Sequence, residues 1–400
     1  MSDSRTQKRL RIALITASDV FDRGSWSGTF YYMTRSLQKH CGDVTVIGPM
    51  DASYEMFIGM LLDKGVKLLL KKSFAFRHTF SVSKRYALIA SRRLADRQFD
   101  VIIALSGATE LAFLHTHAPT VLIEDANFAL LRDYHTHFSS LLKSSIYQLD
   151  ILQAKSIGKA DLVLYSTQWA AQSAVDHYVA DERKIRVIPF GANLEHVPAR
   201  ESVLARKKNA DCCKLLFVGV DWEKKGGSIA LEALIALERF GVPAELTVCG
   251  CVPPKKLNHP KMRVIPFLDK NDDLQRKKLE MLYMQSDFFI LPTRNECFGI
   301  VFCEASAFGL PCLATRTGGV SEVIQDGVNG FVLPYDARGD AYAEVIVRLY
   351  RDASVYNRLV QTSRQRFETL LNWDTWGQAV SQALSEMLRQ HNCLEPLMHA

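Results

Sequence analysis

The sequence predicts an α/β protein with two doubly wound domains, each built on a parallel sheet that helices cover on both faces. Three observations support this fold. The chain has 400 residues, more than one typical core accommodates. Short apolar runs alternate with helical patterns along most of the chain, which is typical of parallel sheets. The alternation lapses between residues 193 and 211 and then restarts, so we expect a linker there.

The first half contains six predicted strands. Ile12–Thr16 is an apolar run after basic residues, and a glycine- and serine-rich loop, Gly24–Gly28, follows it. A helical pattern then covers about residues 29–39. The other predicted strands are Val44–Gly48, Val101–Leu105, Thr120–Ile123, Leu162–Tyr165 and Ile185–Ile188. We assign residues 1–195 to a first Rossmann-like domain.

The second half repeats the strand–loop–helix order. Lys214–Gly219 is a predicted strand, residues 221–227 a charged loop that ends in glycine, and Ser228–Phe240 a helix. Further predicted strands are Leu246–Cys249, Phe288–Leu291, Cys312–Ala314 and Gly330–Leu333, and a helical tail covers about 341–390. We place a second Rossmann-like domain at 205–372 and expect a ligand cleft between the two domains, because doubly wound sheets bind ligands beyond the carboxyl ends of their strands.

Composition and charge exclude several classes of protein. Hydrophobic residues make up 48% of the chain and charged residues 23%, as in ordinary globular proteins. The net charge of +6 suits an anionic ligand but is too sparse for a nucleic-acid partner, and we expect none. The basic N-terminus lacks the apolar segment of a signal peptide, and no apolar run reaches the roughly 18–20 residues of a membrane span. We therefore expect a cytoplasmic protein.

The nine cysteines form no recognisable disulfide or zinc framework. Cys212-Cys213 and Cys249-x-Cys251 could suggest a metal site, but neither has a second pair or histidines at zinc spacing. We favour buried thiols in a reducing compartment over this alternative and expect no metal.

Residues 64–97 combine basic and aromatic side chains. Ten lysines and arginines occur between Asp63 and Arg97, against two acids. The interleaved aromatic residues are Phe74, Phe76, Phe80 and Tyr86. Such a segment can lie on an anionic membrane surface or bind a phosphorylated acceptor. We prefer the alternative of a solvated helix face with a few buried aromatics.

Two glutamates lie in the most informative stretch, Pro292–Ser306. The strand at 288–291 ends here, and a helix is predicted to begin near Gly299. Glu296 then lies in the loop before the helix and Glu304 about one and a half turns inside it. The N–H groups at a helix start can bind phosphate, and carboxylates can accept bonds from ribose or sugar hydroxyls. Taken alone, each glutamate is better explained as a solvated acid, Glu296 in a loop and Glu304 on a helix.

This stretch resembles the signature of family-4 retaining glycosyltransferases, which have the GT-B fold. The resemblance rests on the Glu-x7-Glu pair with Phe298-Gly299 and the following Gly309–Pro311. Three more segments are similar to the same family: Lys184–Asn193, Phe217–Gly226 and Ala314–Gly330. The resemblance covers about residues 11–376 and is densest at 214–334. It implies two domains that face a central cleft, with a last helix at about 375–400 that crosses back to the first domain.

The resemblance also implies a role for each matching side chain. Glu304 would bind the ribose of a nucleoside-diphosphate sugar, and Glu296 the sugar to be transferred. Lys225 would neutralise the diphosphate as it departs. Lys224 and Lys256 are alternative cations for the same role.

Main-chain groups would complete this donor site. The amides of Phe298, Gly299 and Ile300 would contact the sugar and the phosphates. Gly28, in the first glycine-rich loop, would let the backbone approach the donor phosphates with no side chain in the way.

The chain departs from the family pattern at three places. Val220 stands where an arginine is usual, so Lys224 or an arginine elsewhere would supply the second positive charge. Cys297 replaces a glycine and would narrow the sugar pocket. Glu124 and Asp125 stand where a histidine often ends the strand, which makes them candidates for the acceptor side.

The mechanism implied by the resemblance is retaining transfer without a covalent enzyme nucleophile. An oxygen of the donor diphosphate would deprotonate the acceptor, and Glu296, Lys225 and Asp125 are the candidate catalytic residues. The chain contains no Asp-x-Asp, so we expect a metal-independent enzyme without a cofactor. The acceptor would be a glycan, a lipid-linked glycan or a small hydroxyl compound, in polysaccharide or glycoconjugate synthesis. The alternative interpretation of residues 64–97, a peripheral membrane contact, would place the enzyme at the inner membrane face.

Two alternatives remain open at this point. A nucleotide-sugar epimerase or a sugar phosphorylase shares the fold, but the first needs no acceptor and the second needs free phosphate. A non-catalytic carbohydrate- or nucleotide-binding protein would keep the pocket without turnover. Val220 and the missing histidine favour this second alternative, and the intact Glu296, Lys225 and Glu304 oppose it.

Overall fold

The computed structural model describes residues 9–398 except 207, 209 and 210. Within this part of the chain, twelve strands form two six-stranded sheets, and all strand pairs are parallel. The predicted pair of doubly wound α/β sheets is therefore confirmed. Each strand named from the sequence is present, with ends that differ by at most two residues.

Contacts between Cα atoms divide the described chain into two units. Unit 1 comprises residues 9–25, 29–188 and 376–398, and unit 2 comprises 26–28 and 189–375. The last helix thus begins in unit 2 and continues in unit 1. The short segment 26–28 belongs to unit 2, although the residues on both sides of it belong to unit 1.

Unit 1 contains a sheet in the order β2-β1-β3-β4-β5-β6. Its strands are β1 (Leu10–Ile15), β2 (Gly42–Ile47), β3 (Val101–Leu105), β4 (Thr120–Glu124), β5 (Leu162–Tyr165) and β6 (Ile185–Val187). In β1, Ile12 lies opposite Val44 on one side and Val101 on the other. All five residues of β3 and of β4 are buried, as expected for central strands with helices on both faces.

The helices of unit 1 connect these strands and cover the sheet. They are α1 (Thr29–His40), α2 (Ser53–Leu70), α3 (Phe80–Leu94), α4 (Ala108–Leu111), α5 (Phe128–Leu131), α6 (Lys143–Lys159) and α7 (Gln168–Tyr178). Thr79 and Thr167 accept hydrogen bonds at the starts of α3 and α7, as is usual for threonine at a helix N-terminus.

Unit 2 contains a sheet in the order β12-β11-β10-β7-β8-β9. Its strands are β7 (Cys213–Val218), β8 (Ala244–Cys249), β9 (Met262–Ile265), β10 (Phe288–Leu291), β11 (Cys312–Thr315) and β12 (Gly330–Leu333). Its helices are α8 (Arg200–Leu204), α9 (Gly227–Arg239), α10 (Asp273–Gln285), α11 (Ile300–Ala307), α12 (Val320–Val323), α13 (Gly339–Arg351) and α14 (Ala353–Thr369), and α15 (Trp373–Met398) begins there.

An aromatic cluster holds α10 and α11 against the sheet of unit 2. The ring of Tyr283 on α10 stacks on Phe289 of β10, with 5.9 Å between centroids, and on Phe308, with 5.3 Å. Phe302 of α11 meets Phe289 edge-on at 5.7 Å. Such ring pairs stabilise packing beyond their buried area. The cluster fixes the position of α11, which carries Glu304.

The strand order of unit 2 reverses between β7 and β10. The chain proceeds outward from β7 to β8 and β9, and then returns to the other side of β7 with β10. At such a switch point the loops that follow the two central strands diverge and leave a crevice at the carboxyl ends of the strands. These are the loops after Val218 and after Leu291. They contain five of the predicted donor-binding residues: Lys224, Lys225, Glu296, Phe298 and Gly299.

Three elements differ from the sequence-based expectation. The predicted linker 193–211 contains the short helix α8, whose Val203 is fully buried beside Gly309, and three other residues of that linker lie outside the described part. Strand β9 and helix α10 had no predicted counterpart. Both matter for function, because the loop between them and α10 itself contribute side chains to the site.

Candidate functional site

Hydrogen bonds join the loop after β7 to the loop after β10. The carbonyl oxygen of Lys224 accepts from the main-chain N–H of Arg294 at 2.7 Å and from the hydroxyl of Thr293 at 3.3 Å. Gly226 has φ +73°, and a Cβ atom there would lie 2.0 Å from the carbonyl oxygen of Pro292. Only glycine permits this close approach of the two backbones. The hydrogen bonds and the close contact together hold the two loops in a fixed relative position.

Lys225 and Glu296 form an ion pair across these loops. The distance from Lys225 Nζ to Glu296 Oε2 is 2.5 Å, and the side chains are only 23% and 15% exposed. Lys224 instead lies 3.5 Å from Asp221 Oδ2. The main-chain N–H of Lys224 donates to Asp221, and this bond together with the lysine charge lowers the pKa of that carboxyl group. The contacts thus distinguish the two lysines, and Lys225 is the one beside the predicted sugar-binding carboxylate.

Glu304 is the most deeply buried acid of the site, with no exposed surface. Its Oε1 accepts from Lys270 Nζ at 2.7 Å and its Oε2 from the hydroxyl of Tyr283 at 2.8 Å. Burial, and then the negative charge of Glu304, raise the pKa of Tyr283 well above its ordinary value. Tyr283 therefore stays neutral and donates, while Lys270 balances the carboxylate charge.

Lys270 also reaches the segment 26–28. Its Nζ lies 3.5 Å from the carbonyl oxygen of Ser27, which also accepts from Asn193 Nδ2 at 3.0 Å. Trp26, Ser27 and Gly28 all have positive φ, at 47°, 59° and 93°. The predicted Gly28 thus lies in a left-handed turn that is part of unit 2, next to the cation that pairs with Glu304.

The start of α11 provides the predicted main-chain groups. Gly299 has φ +96° and directly precedes Ile300, the first helical residue. The ring of Phe298 is buried against Phe190, with 5.3 Å between centroids, so only the main chain of Phe298 can face a ligand. The first N–H groups of a helix have no partner within the helix and favour an anion. A phosphate would therefore suit this end of α11.

Unit 2 brings most of the predicted residues together, and it adds two that the sequence analysis missed. The predicted members are Gly28, Lys224, Lys225, Glu296, Phe298, Gly299, Ile300 and Glu304. The missed ones are Lys270, which lies just before the unpredicted α10, and Tyr283, which lies within it. Asp125 belongs to unit 1, where it is half-buried directly after β4, and it is not part of this cluster.

Unit 1 holds two buried carboxyl groups at the carboxyl ends of its strands. Burial raises the pKa of Glu124 to about 8, while the hydrogen bond from Gln153 Nε2 at 2.8 Å opposes the shift and the charge of Asp125 adds to it. Burial also raises the pKa of Glu110 to about 7, and its Oε1 accepts from the N–H of Ala17 at 3.0 Å. Glu110 follows β3 without any motif that sequence analysis could recognise.

The departures from the family pattern have distinct structural settings. Val220 is 73% exposed, so its side chain contributes neither charge nor packing to the loop. Lys270 provides a cation that the pattern did not predict. Cys297 is half-buried beside Glu296. Burial raises the pKa of both Cys249 and Cys251 to about 11, which keeps these thiols protonated at neutral pH.

Two family models match the chain. Residues 29–196 match the model described as glycosyltransferase family 4, and residues 212–352 match the model described as glycosyl transferases group 1. A curated relative, D-inositol 3-phosphate glycosyltransferase of Streptomyces bingchenggensis, is 28% identical over 254 residues, which are 60% of this chain and 55% of the relative. The chain thus spans about half the length of the curated relatives it matches.

Solved structures share the fold. Sucrose-phosphate synthase from Thermosynechococcus elongatus superposes with a TM-score of 0.68 at 16% identity, over 96% of this chain and all of that one. HepE from Anabaena, determined in complex with UDP and glucose, gives a TM-score of 0.61 at 16% identity, over 94% of this chain and all of that one. At this identity the likeness shows a common GT-B architecture.

Replacing Gly226 with alanine should disrupt the joint between the two loops. The new methyl group would clash with Pro292 and the residue would keep a left-handed φ, so we expect a loss of about 3 kcal/mol in the free energy of unfolding. Gly241→Ala is a matched control, because Gly241 has the same φ of +73° but no atom within 4 Å of the added Cβ. It should lose only about 1 kcal/mol. Urea unfolding measures both losses, and equal values would contradict the clash.

The buried Glu124 should make stability depend on pH. Its pKa of about 8 lies above the unfolded value near 4.5, so the folded state binds the proton more tightly. The resulting stabilisation is complete below about pH 4.5 and is lost as the pH rises through 8. Between pH 5 and 9, this group should lower the free energy of unfolding of wild type by roughly 3–5 kcal/mol, at about 1.4 kcal/mol per pKa unit. Glu124→Gln should lack this decrease. Urea unfolding at pH 5 and pH 9 measures this difference, and the exposed Glu201→Gln is the control that should behave like wild type. An equal change in the free energy of unfolding between the two pH values for wild type and Glu124→Gln would contradict the prediction.

Proposed function

We propose that this chain, which belongs to the family-4 (group 1) glycosyltransferases, transfers a sugar from a nucleoside-diphosphate sugar to a hydroxyl group of an acceptor. One observation carries the proposal. At the strand switch point of unit 2, two carboxylates are each paired with a lysine, Glu296 with Lys225 and Glu304 with Lys270. A donor of this class contains both hydroxyl groups for the carboxylates and a diphosphate for the lysines.

The donor would exchange partners with these ion pairs. Ribose hydroxyls would donate to Glu304 in place of Lys270, and sugar hydroxyls would donate to Glu296 in place of Lys225. Both lysines would then be available to the diphosphate, which carries more negative charge than either carboxylate. The amides of Gly299 and Ile300 would bind the same phosphates at the start of α11. Uridine is the base we propose, because HepE, with the same fold, binds UDP and glucose.

The proposed mechanism retains the configuration of the transferred sugar. Lys225 stabilises the negative charge that develops on the departing diphosphate, in a site where little water screens it. An oxygen of that diphosphate removes the acceptor proton, so the enzyme needs no covalent nucleophile. Glu296 orients the sugar, and Asp125 in unit 1 is the candidate that orients the acceptor hydroxyl. Because lysines supply the positive charge, we propose a metal-independent reaction.

The acceptor has two candidate classes. The curated relative named above is a glycosyltransferase for D-inositol 3-phosphate, a polyol phosphate, so a small hydroxyl acceptor is one candidate. A glycan or a lipid-linked glycan in polysaccharide or glycoconjugate synthesis is the other. We propose a cytoplasmic enzyme, because nucleoside-diphosphate sugars would reach it there.

A binding protein without turnover is the second candidate function. The exposed Val220, where the family has an arginine, favours it, as does the Glu124-Asp125 pair in place of a histidine. Release of UDP from UDP-glucose separates the candidates. Release that requires an added acceptor supports the transferase, conversion without acceptor indicates an epimerase, and release only with inorganic phosphate indicates a phosphorylase. Binding without any release indicates the binding protein.

Glu304→Gln should weaken nucleotide binding at least tenfold, because an amide oxygen accepts ribose hydroxyls less strongly than a carboxylate does. Isothermal titration with UDP, GDP and ADP measures the affinities. Glu223→Gln is the matched control, since Glu223 is an exposed glutamate beside Lys224 in the same loop, and its affinity should stay within twofold of wild type. Unchanged UDP affinity in Glu304→Gln, or no binding of any of the three nucleotides by wild type, would contradict the proposed donor site.

A further inference from the structure

Helix α2 of unit 1 directs its apolar side chains to solvent. Its outward side carries Tyr54, Phe57, Leu61, Leu62, Leu68 and Leu69, each more than half exposed. The buried residues of this 18-residue helix are Gly59 and Asp63, neither of which is apolar and large. A surface helix of a globular protein normally places its apolar residues inward and its polar residues outward. In α2 most of the large apolar residues face outward instead.

The inward side of α2 is fixed by Met56, which is half-buried against the core of unit 1, and by small and polar contacts. Gly59 lies so close to Phe76 that an added Cβ would be 2.4 Å from the Phe76 Cβ. Asp63 accepts from the N–H of Phe74 at 2.8 Å and from Lys67 Nζ at 2.7 Å. These contacts determine which side of the helix faces the unit. The apolar side is therefore exposed by the fold itself.

Positive charge accompanies the exposed apolar side. Lys64 lies in line with Phe57, Leu61 and Leu68, at spacings of seven, three and four residues along the helix. Lys71 and Lys72 directly follow the helix and are exposed. Of the two acids of α2, Asp63 is buried and paired with Lys67, and Glu55 is half-buried at the border of this surface. Large apolar side chains combined with lysines match an anionic lipid surface, in which acyl chains lie beneath phosphate groups.

We propose that α2 binds the surface of an anionic lipid bilayer, with its apolar side chains in the interface and Lys64, Lys71 and Lys72 at the lipid phosphates. The helix lies in the plane of the surface, because its apolar side chains project from one side along its length. None of the described helices is long and apolar enough to cross a membrane. A second copy of the chain is a poorer occupant, because a two-fold interface on this face would bring the same lysines together. This surface overlaps the start of the basic and aromatic segment 64–97, whose Phe74, Phe76 and Phe80 are half-buried.

Binding to vesicles tests the proposal without donor or acceptor, so its outcome is independent of the proposed transfer reaction. Wild-type protein should float with vesicles of 70% phosphatidylcholine and 30% phosphatidylglycerol at low salt. Binding should fall at least tenfold at 0.5 M salt and at least tenfold with pure phosphatidylcholine, because lysine–phosphate attraction is screened or absent there.

Leu61→Ser/Leu68→Ser/Leu69→Ser should weaken this binding at least tenfold through the loss of apolar contact. Leu274→Ser/Met281→Ser is the matched control, since both residues are exposed apolar residues of α10 in unit 2, and it should bind within twofold of wild type. All these side chains are exposed, so each variant should unfold cooperatively in urea, with a midpoint only slightly below that of wild type because serine has a lower helix propensity than leucine.

A second pair of variants tests the charge. Lys64→Gln/Lys71→Gln/Lys72→Gln should lose at least tenfold in binding, whereas Arg92→Gln/Arg93→Gln, on exposed positions of α3, should lose less than threefold. Three outcomes would overturn the proposal. These are no flotation at low salt, equal flotation of wild type and the leucine variant, or a wild-type dimer in sedimentation that the leucine variant converts to monomer.

Discussion

The buried carboxylate of Glu304 imposes the main physical constraint on unit 2. An ionised carboxylate with no exposed surface costs several kcal/mol unless opposite charge and hydrogen bonds compensate it. Lys270 supplies the charge and Tyr283 the second hydrogen bond, and the aromatic cluster holds Tyr283 in place. A ligand can therefore displace Lys270 from Glu304 only if it donates hydrogen bonds to the carboxylate. Ribose hydroxyls have that property, and apolar ligands do not.

Glu296, the second carboxylate, is likewise paired with a lysine, Lys225. The sheet topology explains why these two residues are neighbours. Lys225 follows β7 and Glu296 follows β10, strands far apart in sequence but adjacent in the sheet. The close approach of Gly226 to Pro292 then fixes the distance between their loops. A ligand at this point meets two cations and two anions within one rigid frame. Such preorganised charges favour transfer of a group away from a diphosphate.

Sequence analysis predicted the fold and the acidic pair well, because both depend on local patterns. Strand–loop–helix repeats identify the sheets, and the spacing of Glu296 and Glu304 places one in a loop and the other in a helix. Lys270 could not be predicted, since it follows the short strand β9 and only the tertiary fold brings it to Glu304. The exposed face of α2 was missed for another reason. Its apolar periodicity reveals an amphipathic helix, but the side that faces solvent depends on its contact with Phe76.

The account depends most on the exchange of partners at Glu304, and a crystal structure of the protein with UDP-glucose tests that exchange directly. We expect the ribose hydroxyls within hydrogen-bond distance of Glu304, with Lys270 Nζ moved from the carboxylate towards the diphosphate. We also expect the phosphates at Lys225 and the start of α11. A nucleotide bound elsewhere, with both lysine–carboxylate pairs intact, would contradict the account.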